Sequence, residues 1–298
     1  MKILLTGYSG FTGRHFQRQH SCAPLADRAG KLIDLLDRDL VNSTIADIQP
    51  EAVVHLAAQT FVPDSFADPH GTMDVNVTGT LNLLMALEAC GFKGRLLFVS
   101  SAEVYGLVPP EALPLKETCQ FRPRSPYAAS KVAAEALVFQ YSQTSQFEAI
   151  IARPFNQLGS GQQESFAISN FAKQAIQINL GRQPPKLKVG DIDVTRDFTD
   201  IRDTVRAYLL LLEHGQNGEA YNVCSGQERA IRSMLEKILA ASKVEAEIVK
   251  DTARLRPSEQ RRVAGDFEKL HSACGWRPEI EIDQTITDIL EDWRERLA

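Results

Sequence analysis

Tyr127 and Lys131 stand four residues apart in Ser125-Pro126-Tyr127-Ala128-Ala129-Ser130-Lys131, a stretch whose alanines suit a helix. Side chains at that spacing share a helix face. An ammonium beside a phenol favours the phenolate and draws the phenol down from its reference value of about 10, towards a usable acid. A hydroxyl joins them from Leu97-Phe98-Val99-Ser100-Ser101-Ala102-Glu103-Val104-Tyr105-Gly106, where Ser101 follows an apolar run and completes a Ser-Tyr-Lys set. Such a set suits proton transfer to a carbonyl oxygen, with the serine supporting developing charge. A third feature is Thr6-Gly7-Tyr8-Ser9-Gly10-Phe11-Thr12-Gly13, a glycine-rich turn directly after the first apolar run. Glycines there let the backbone approach a pyrophosphate, whose charge a helix N-terminus then stabilises. Each feature has a plain structural reading as well. Helices carry YxxxK by chance, strand-end serines cap backbone groups, and glycines serve ordinary turns.

The elements that must position these residues are legible as a rhythm. Residues 2–6, 52–56, 95–99 and 148–152 are short apolar runs of the kind buried on both faces in a parallel sheet. Helix-like stretches over 77–89 and 127–142 lie between them, and the alternation predicts a doubly wound α/β sheet. After Pro154 the rhythm changes: 157–196 mixes helical sequence with the turn at Pro184-Pro185, 200–213 is an amphipathic helix, and 220–223 a further strand. No flexible linker separates the parts, so two interleaved domains are expected. Residues 1–156 and 197–224 would form the dinucleotide-binding one, and 157–196 with 225–298 a smaller, mainly helical substrate domain.

Composition narrows the function class. With 298 residues, 44% hydrophobic and 24% charged, the chain is an ordinary soluble α/β composition with a sizeable core. A net charge of -5 argues against nucleic acid or an acidic membrane as partner. No apolar run approaches a membrane span or a signal-peptide core. Five scattered cysteines without a CxxC read as reduced thiols, which predicts a cytoplasmic protein, and six histidines without HExxH predict no metal site.

Taken together, the GxxGxxG turn and the later YxxxK resemble the extended short-chain dehydrogenase/reductases of the nucleotide-sugar epimerase/dehydratase branch, over essentially the whole chain. The resemblance implies a Rossmann-type fold and an NADPH or NADH cofactor held by Gly7, Gly10, Phe11, Thr12, Gly13, Asp34, Leu35, Leu56, Ala57, Ala58, Asn76, Tyr127, Lys131 and Pro154. It implies Ser101, Tyr127 and Lys131 as catalytic residues. Lys188-Val189-Gly190-Asp191, the run to Arg196-Asp197-Phe198, and Leu255-Arg256-Pro257-Ser258-Glu259 narrow it to reductases of GDP-bound 4-keto sugars. The activity implied is reduction of the 4-keto group of GDP-4-keto-6-deoxy-D-mannose to GDP-D-rhamnose. Ser101, Glu103, Asn156, Lys188, Arg196, Arg256 and Glu259 would contact that substrate, the arginines offering guanidinium forks to its diphosphate. For an isolated arginine a surface ion pair is the plainer reading, with Asp197 and Glu259 at hand. The branch also implies a homodimer through a four-helix bundle of 77–89 and 127–142.

Three features depart from the usual pattern or leave alternatives. Twenty residues (14–33) separate Gly13 from Asp34, so the second strand must be short, over 23–26 and ending at Asp27-Arg28. An acid there would favour NAD and an arginine NADP, and both are present. Gln157 and Ser160 stand where relatives often have histidine and proline. Alternatives to the reductase are a 4,6-dehydratase or 4-epimerase on the same fold, and a cofactor-sensing regulator without catalysis. Ala102 before Glu103 favours reduction, because dehydration needs an acid where a methyl group stands.

Overall fold

Runs of valine, isoleucine and leucine become strands when both faces are covered, and β1 (Ile3–Thr6) is buried at every position. The computed structural model describes residues 1–252 and 260–298. After β1 come α1 (Phe11–Gln19), a two-residue β2 (Ala23–Pro24), α2 (Arg38–Ile48) and β3 (Ala52–His55). Two short helices, α3 (Val62–Ala67) and α4 (Pro69–Met73), and a π-helical turn at Asp74–Thr78 lead into α5 (Gly79–Ala89). β4 (Arg95–Val99), α6 (Pro126–Thr144) and β5 (Glu148–Pro154) follow. The chain then builds β6 (Asn156–Leu158), α7 (Ala167–Asn179), β7 (Lys186–Val189) and β8 (Thr195–Asp200) before α8 (Ile201–His214) and β9 (Ala220–Val223). Last come β10 (Glu228–Ala230), α9 (Ile231–Ser242), β11 (Glu247–Lys250), α10 (Glu268–Cys274) and α11 (Ile282–Leu297).

Six strands pair in the order β2-β1-β3-β4-β5-β9, all in parallel, as the Rossmann-type expectation requires. The chain leaves β1 for β2 and crosses back to β3. The switch point therefore lies between β1 and β3, where open α/β sheets form a crevice at their carboxyl ends. The short interval after Gly13 explains why β2 is the edge: its chain folds back at once through an Ala26–Leu32 bridge. One side of the sheet buries Phe16, Val205, Tyr208 and Trp276; the other buries Val41, Leu83, Leu84, Val138 and Phe147.

The smaller region has a core of its own. Phe171, Met234, Leu235, Ile289 and Trp293, from α7, α9 and α11, pack with Leu187 and Phe198 of the strands. Its strands form a β10-β8-β6 sheet and a separate β11-β7 pair. The chain crosses between the cores repeatedly. Leu270 of α10 and Trp276, within the stretch 225–298, join the core against the main sheet, and the Trp276 indole N–H donates to Asp203 O of α8 at 3.0 Å.

Candidate active site

The carboxyl ends of β1, β3, β4 and β5 bring the chemistry together. Ser101 follows β4 and begins the 3-10 turn Ala102–Tyr105, its hydroxyl accepting from the Glu103 N–H at 3.2 Å. Tyr127 and Lys131 occupy the first turns of α6. That helix starts sharply because Ser125 accepts from the Ala128 N–H at 3.0 Å and Pro126 fills the first position. All three side chains are buried, Ser101 to 9%, Tyr127 to 7% and Lys131 to 4% exposure. The Lys131 ammonium donates to Val99 O at 2.9 Å and lies 5.1 Å over the Phe98 ring.

Burial reverses one expectation. The Tyr127 phenol is not drawn down by Lys131; burial pushes it up to about 12, against the pull of the Ser101 hydroxyl, and Glu103 adds to the rise. Burial lowers Lys131 to about 8, with Glu135 holding it up. The physical reason is that desolvation acts on both groups, disfavouring phenolate and ammonium alike. A phenol that stays protonated at neutral pH is a proton donor in waiting, which suits reduction of a carbonyl.

The glycine-rich turn is shaped for close approach. Gly7 has φ +69°, and a Cβ there would lie 2.8 Å from the Ala57 nitrogen and 2.9 Å from the Leu56 carbonyl carbon. A Cβ at Gly13 would meet the Gly7 oxygen at 2.3 Å. Gly10 caps α1 without any side-chain hydrogen bond, so the N-terminal amides stay open for an anion. The Thr12 hydroxyl donates to Gln157 Oε1 at 2.9 Å, and Gln157 in turn donates to the Tyr208 hydroxyl at 3.0 Å. Phe11 packs edge-on to His15, 5.2 Å between rings. On β3, His55 is clamped between the Thr6 and Thr80 hydroxyls at 2.7 and 2.9 Å, and burial holds it neutral, down to about 3.

Asn76 sits in the π-helical turn, a geometry frequent at functional sites. Its amide accepts from the Gln59 N–H at 2.8 Å and donates to Gln59 O and the Ser130 hydroxyl, tying the segment Leu56-Ala57-Ala58-Gln59 to α6. The Gln59 Oε1 is buried without a partner. Together with the open α1 terminus and the Gly7 cradle, this fits a dinucleotide across the switch point. Pro154 closes β5, buried beside Val223. Leu35 is buried against Gly79, and Asp34 is exposed, its carboxylate accepting from the Leu36 N–H at 3.0 Å. Asp27 spends its carboxylate on the Ala29 and Lys31 amides, both at 2.9 Å, and Arg28 pairs with Asp47 at 2.9 Å. Of the two side chains that would choose between NAD and NADP, Asp27 thus holds its own hairpin and Arg28 reaches across to α2.

The expected substrate residues are dispersed. Glu103 and Asn156 are exposed, Asn156 opening β6 opposite Phe198 of β8. Lys188 projects from the separate β11-β7 pair, its amide donating to Gln174 at 2.9 Å. Arg196 lies on β8 with Thr195 O at 2.6 Å. Arg256 and Glu259 lie outside the described residues. Asp197, a candidate ion-pair partner for Arg196, is instead wholly buried, accepting from Ser225, Gly226 and Gly265. Strand pairing adds a residue that sequence reading missed: Arg229 of β10 stands directly opposite Arg196. Two guanidinium side chains opposed across a sheet repel each other and concentrate positive charge at that point. The sequence motifs also hold Tyr105 and Arg153, and the fold gathers these two with Glu135 and Asn222 into one buried set that the sequence does not show as a set.

A family profile described as GDP-mannose 4,6 dehydratase matches residues 27–289. The chain is 46% identical over 303 residues to a GDP-6-deoxy-D-mannose reductase of Pseudomonas aeruginosa, covering 99% of this chain and 98% of that one. It is 28% identical over 278 residues to a human GDP-mannose 4,6 dehydratase, covering 86% of this chain and 74% of that one. Among solved structures it resembles RMD from Pseudomonas aeruginosa complexed with NADPH, with a TM-score of 0.93, 46% identity, and 99% and 100% of the two chains covered.

Proposed function

The chain belongs to the GDP-mannose 4,6 dehydratase family, among the extended short-chain dehydrogenase/reductases, and we propose that it reduces GDP-4-keto-6-deoxy-D-mannose to GDP-D-rhamnose with NADPH. The observation that carries this reading is the buried, protonated Tyr127 beside Ser101 and Lys131 at the end of β4, in a chain 46% identical to a reductase of that chemistry. Gly7, Gly10 and Gly13 would admit the dinucleotide diphosphate, and Asn76 and Ala57 would flank it. When bound, the reduced dinucleotide supplies the hydride. Tyr127 gives its proton to the carbonyl oxygen, Ser101 donates a hydrogen bond to that oxygen as charge develops, and Lys131 steadies the phenolate left behind. Arg196, with Arg229 opposite, would meet the sugar diphosphate, and Asn156 a phosphate or sugar oxygen.

The second reading, dehydration of GDP-mannose, rests on Glu103 as a base. Against it, Ala102 has no proton to give the departing hydroxyl. Two incubations separate the readings: the keto sugar with NADPH, followed by cofactor absorbance and product NMR, and GDP-mannose with oxidised cofactor, followed by mass spectrometry. Keto sugar formed in the second tube, with no cofactor consumed in the first, would overturn the reductase.

The homodimer through helices α5 and α6 is part of the same proposal. Phe139 of α6 is 51% exposed, and Phe66 of α3 and Met73 of α4 are also exposed on helices that pack beside α6. Apolar side chains of that size on neighbouring helices support a covered face. Sedimentation at micromolar concentration tests it, with Phe139→Glu expected to give monomer. Among the described residues no helix is long and apolar enough to cross a membrane. A cytoplasmic site is supported by five unpaired cysteines.

A further inference from the structure

A buried ion pair lies directly beneath the catalytic side chains, and no step above uses it. Glu135 of α6 is 4% exposed and Arg153 of β5 is 6% exposed. The guanidinium grips the carboxylate with its Nε at 3.0 Å and an Nη at 2.7 Å. The same carboxylate accepts from the Ser100 hydroxyl, next in sequence to Ser101. Arg153 donates onward to the Tyr105 hydroxyl and to Glu117 O, both at 3.0 Å, and its guanidinium lies over the Tyr105 and Phe121 rings. The Tyr105 hydroxyl donates to Asn222 Oδ1 at 2.7 Å, and the Asn222 N–H donates to Glu117 at 2.8 Å.

We propose that the Glu135–Arg153 pair is a positioning element for Ser101, Tyr127 and Lys131, locking the end of β4, the face of α6, β5 and β9 into one frame. Stability alone is a poor reason for it, since a buried ion pair is commonly replaced by apolar side chains at no loss. Geometry gives a better one. Glu135 follows Lys131 by one helical turn, so one carboxylate both anchors the Ser100-Ser101 corner and faces the ammonium. Among the described residues, the titratable groups coupled to that ammonium are Glu135 on α6 and His55 on β3, the latter held neutral by burial. Glu135 is thus the one negative charge facing Lys131 among them, and it favours the protonated lysine.

This inference rests on the reductase reading for its kinetic arm and on lysine titration for its independent arm. Three variants are compared with the parent chain: Ser100→Ala, Arg153→Lys, and the apolar double variant Glu135→Leu/Arg153→Met. In reduction of the keto sugar, the double variant is expected to lose about 10- to 100-fold in kcat with both KM values within about twofold, Arg153→Lys to recover part of that loss, and Ser100→Ala to lose about 3- to 10-fold. Lysine 13Cε NMR, assigned with Lys131→Met, should show Lys131 titrating at lower pH in the double variant. A folded double variant with parental kcat and an unshifted Lys131 resonance overturns the proposal. Should the double variant not fold, Ser100→Ala and Arg153→Lys decide it in the same way, parental kcat in both overturning it. If the parent itself does not reduce the keto sugar, the reductase reading fails, and the Lys131 titration still decides the role of the pair.

Discussion

The two halves of the proposed site, one for chemistry and one for recognition, are built by opposite means. On the chemistry side, Ser101, Tyr127, Lys131 and Asn76 are buried and each is held by at least one named hydrogen-bond partner or helix turn within a single six-stranded sheet. On the recognition side, Glu103, Asn156 and Lys188 are exposed, and they and Arg196 come from the turn after β4 and three short strands in two small sheets. A proton must be delivered to one atom within a fraction of an ångström, so its donor belongs to a rigid, dry frame. A diphosphate is held by several charge-assisted contacts, each tolerant of water and small displacements. Burial and hydrogen bonding are concentrated around Ser101, Tyr127 and Lys131.

If that contrast holds, disturbing the buried half should strike turnover and disturbing the exposed half should strike binding. The largest effect is expected from Tyr127→Phe, which removes one proton donor and almost no volume. Its kcat should fall by about 10²–10⁴-fold with cofactor affinity nearly unchanged, as read by steady-state kinetics and a cofactor fluorescence titration. Arg196→Ala should do the reverse, raising KM for the nucleotide sugar by about 10- to 150-fold while leaving KM for NADPH near its parental value. Equal rises in both constants would place Arg196 outside the recognition half and break the comparison.

A pH profile sharpens it next. Lys131 is depressed to about 8 and Tyr127 raised to about 12. As pH climbs through 8 the ammonium is lost first while the phenol remains protonated, so kcat/KM should decline above about pH 8 and the limb should belong to Lys131. Lys131→Arg, which stays charged, should carry that limb to higher pH whatever its absolute rate. The smallest effect is expected where the halves meet. Thr12→Val deletes one hydrogen bond to Gln157 and should lower stability by about 0.5–1.5 kcal/mol, measurable by denaturant titration.

Much of this is legible in the amino-acid sequence. Gly7 and Gly13 stand where added methyl groups would strike backbone atoms, and Tyr127 and Lys131 four residues apart do share one buried face of α6. The expected strand over 220–223 pairs with β5, and the shortness of β2 follows from the brief interval after Gly13. The helix expected over 77–89 begins instead with a π-helical turn, because Asn76 turns inward to bind Gln59 and Ser130. Such a turn has no sequence period of its own, so residue spacing could not announce it.

Local spacing and hydrophobic period belong to the sequence, and they indicated the rhythm of apolar strands and helices, the glycine cradle and the Tyr127-Lys131 pair, since each is read from residues near one another in the chain. Only the tertiary structure could decide what faces what across long separations. It placed Arg229 opposite Arg196, 33 residues away, through antiparallel pairing of β10 and β8. It enclosed Glu135 with Arg153 and Tyr105, and it raised the Tyr127 phenol where the neighbouring lysine alone would have lowered it. Burial is a property of the folded whole, and the energy of a charge depends on how much water the rest of the chain leaves around it.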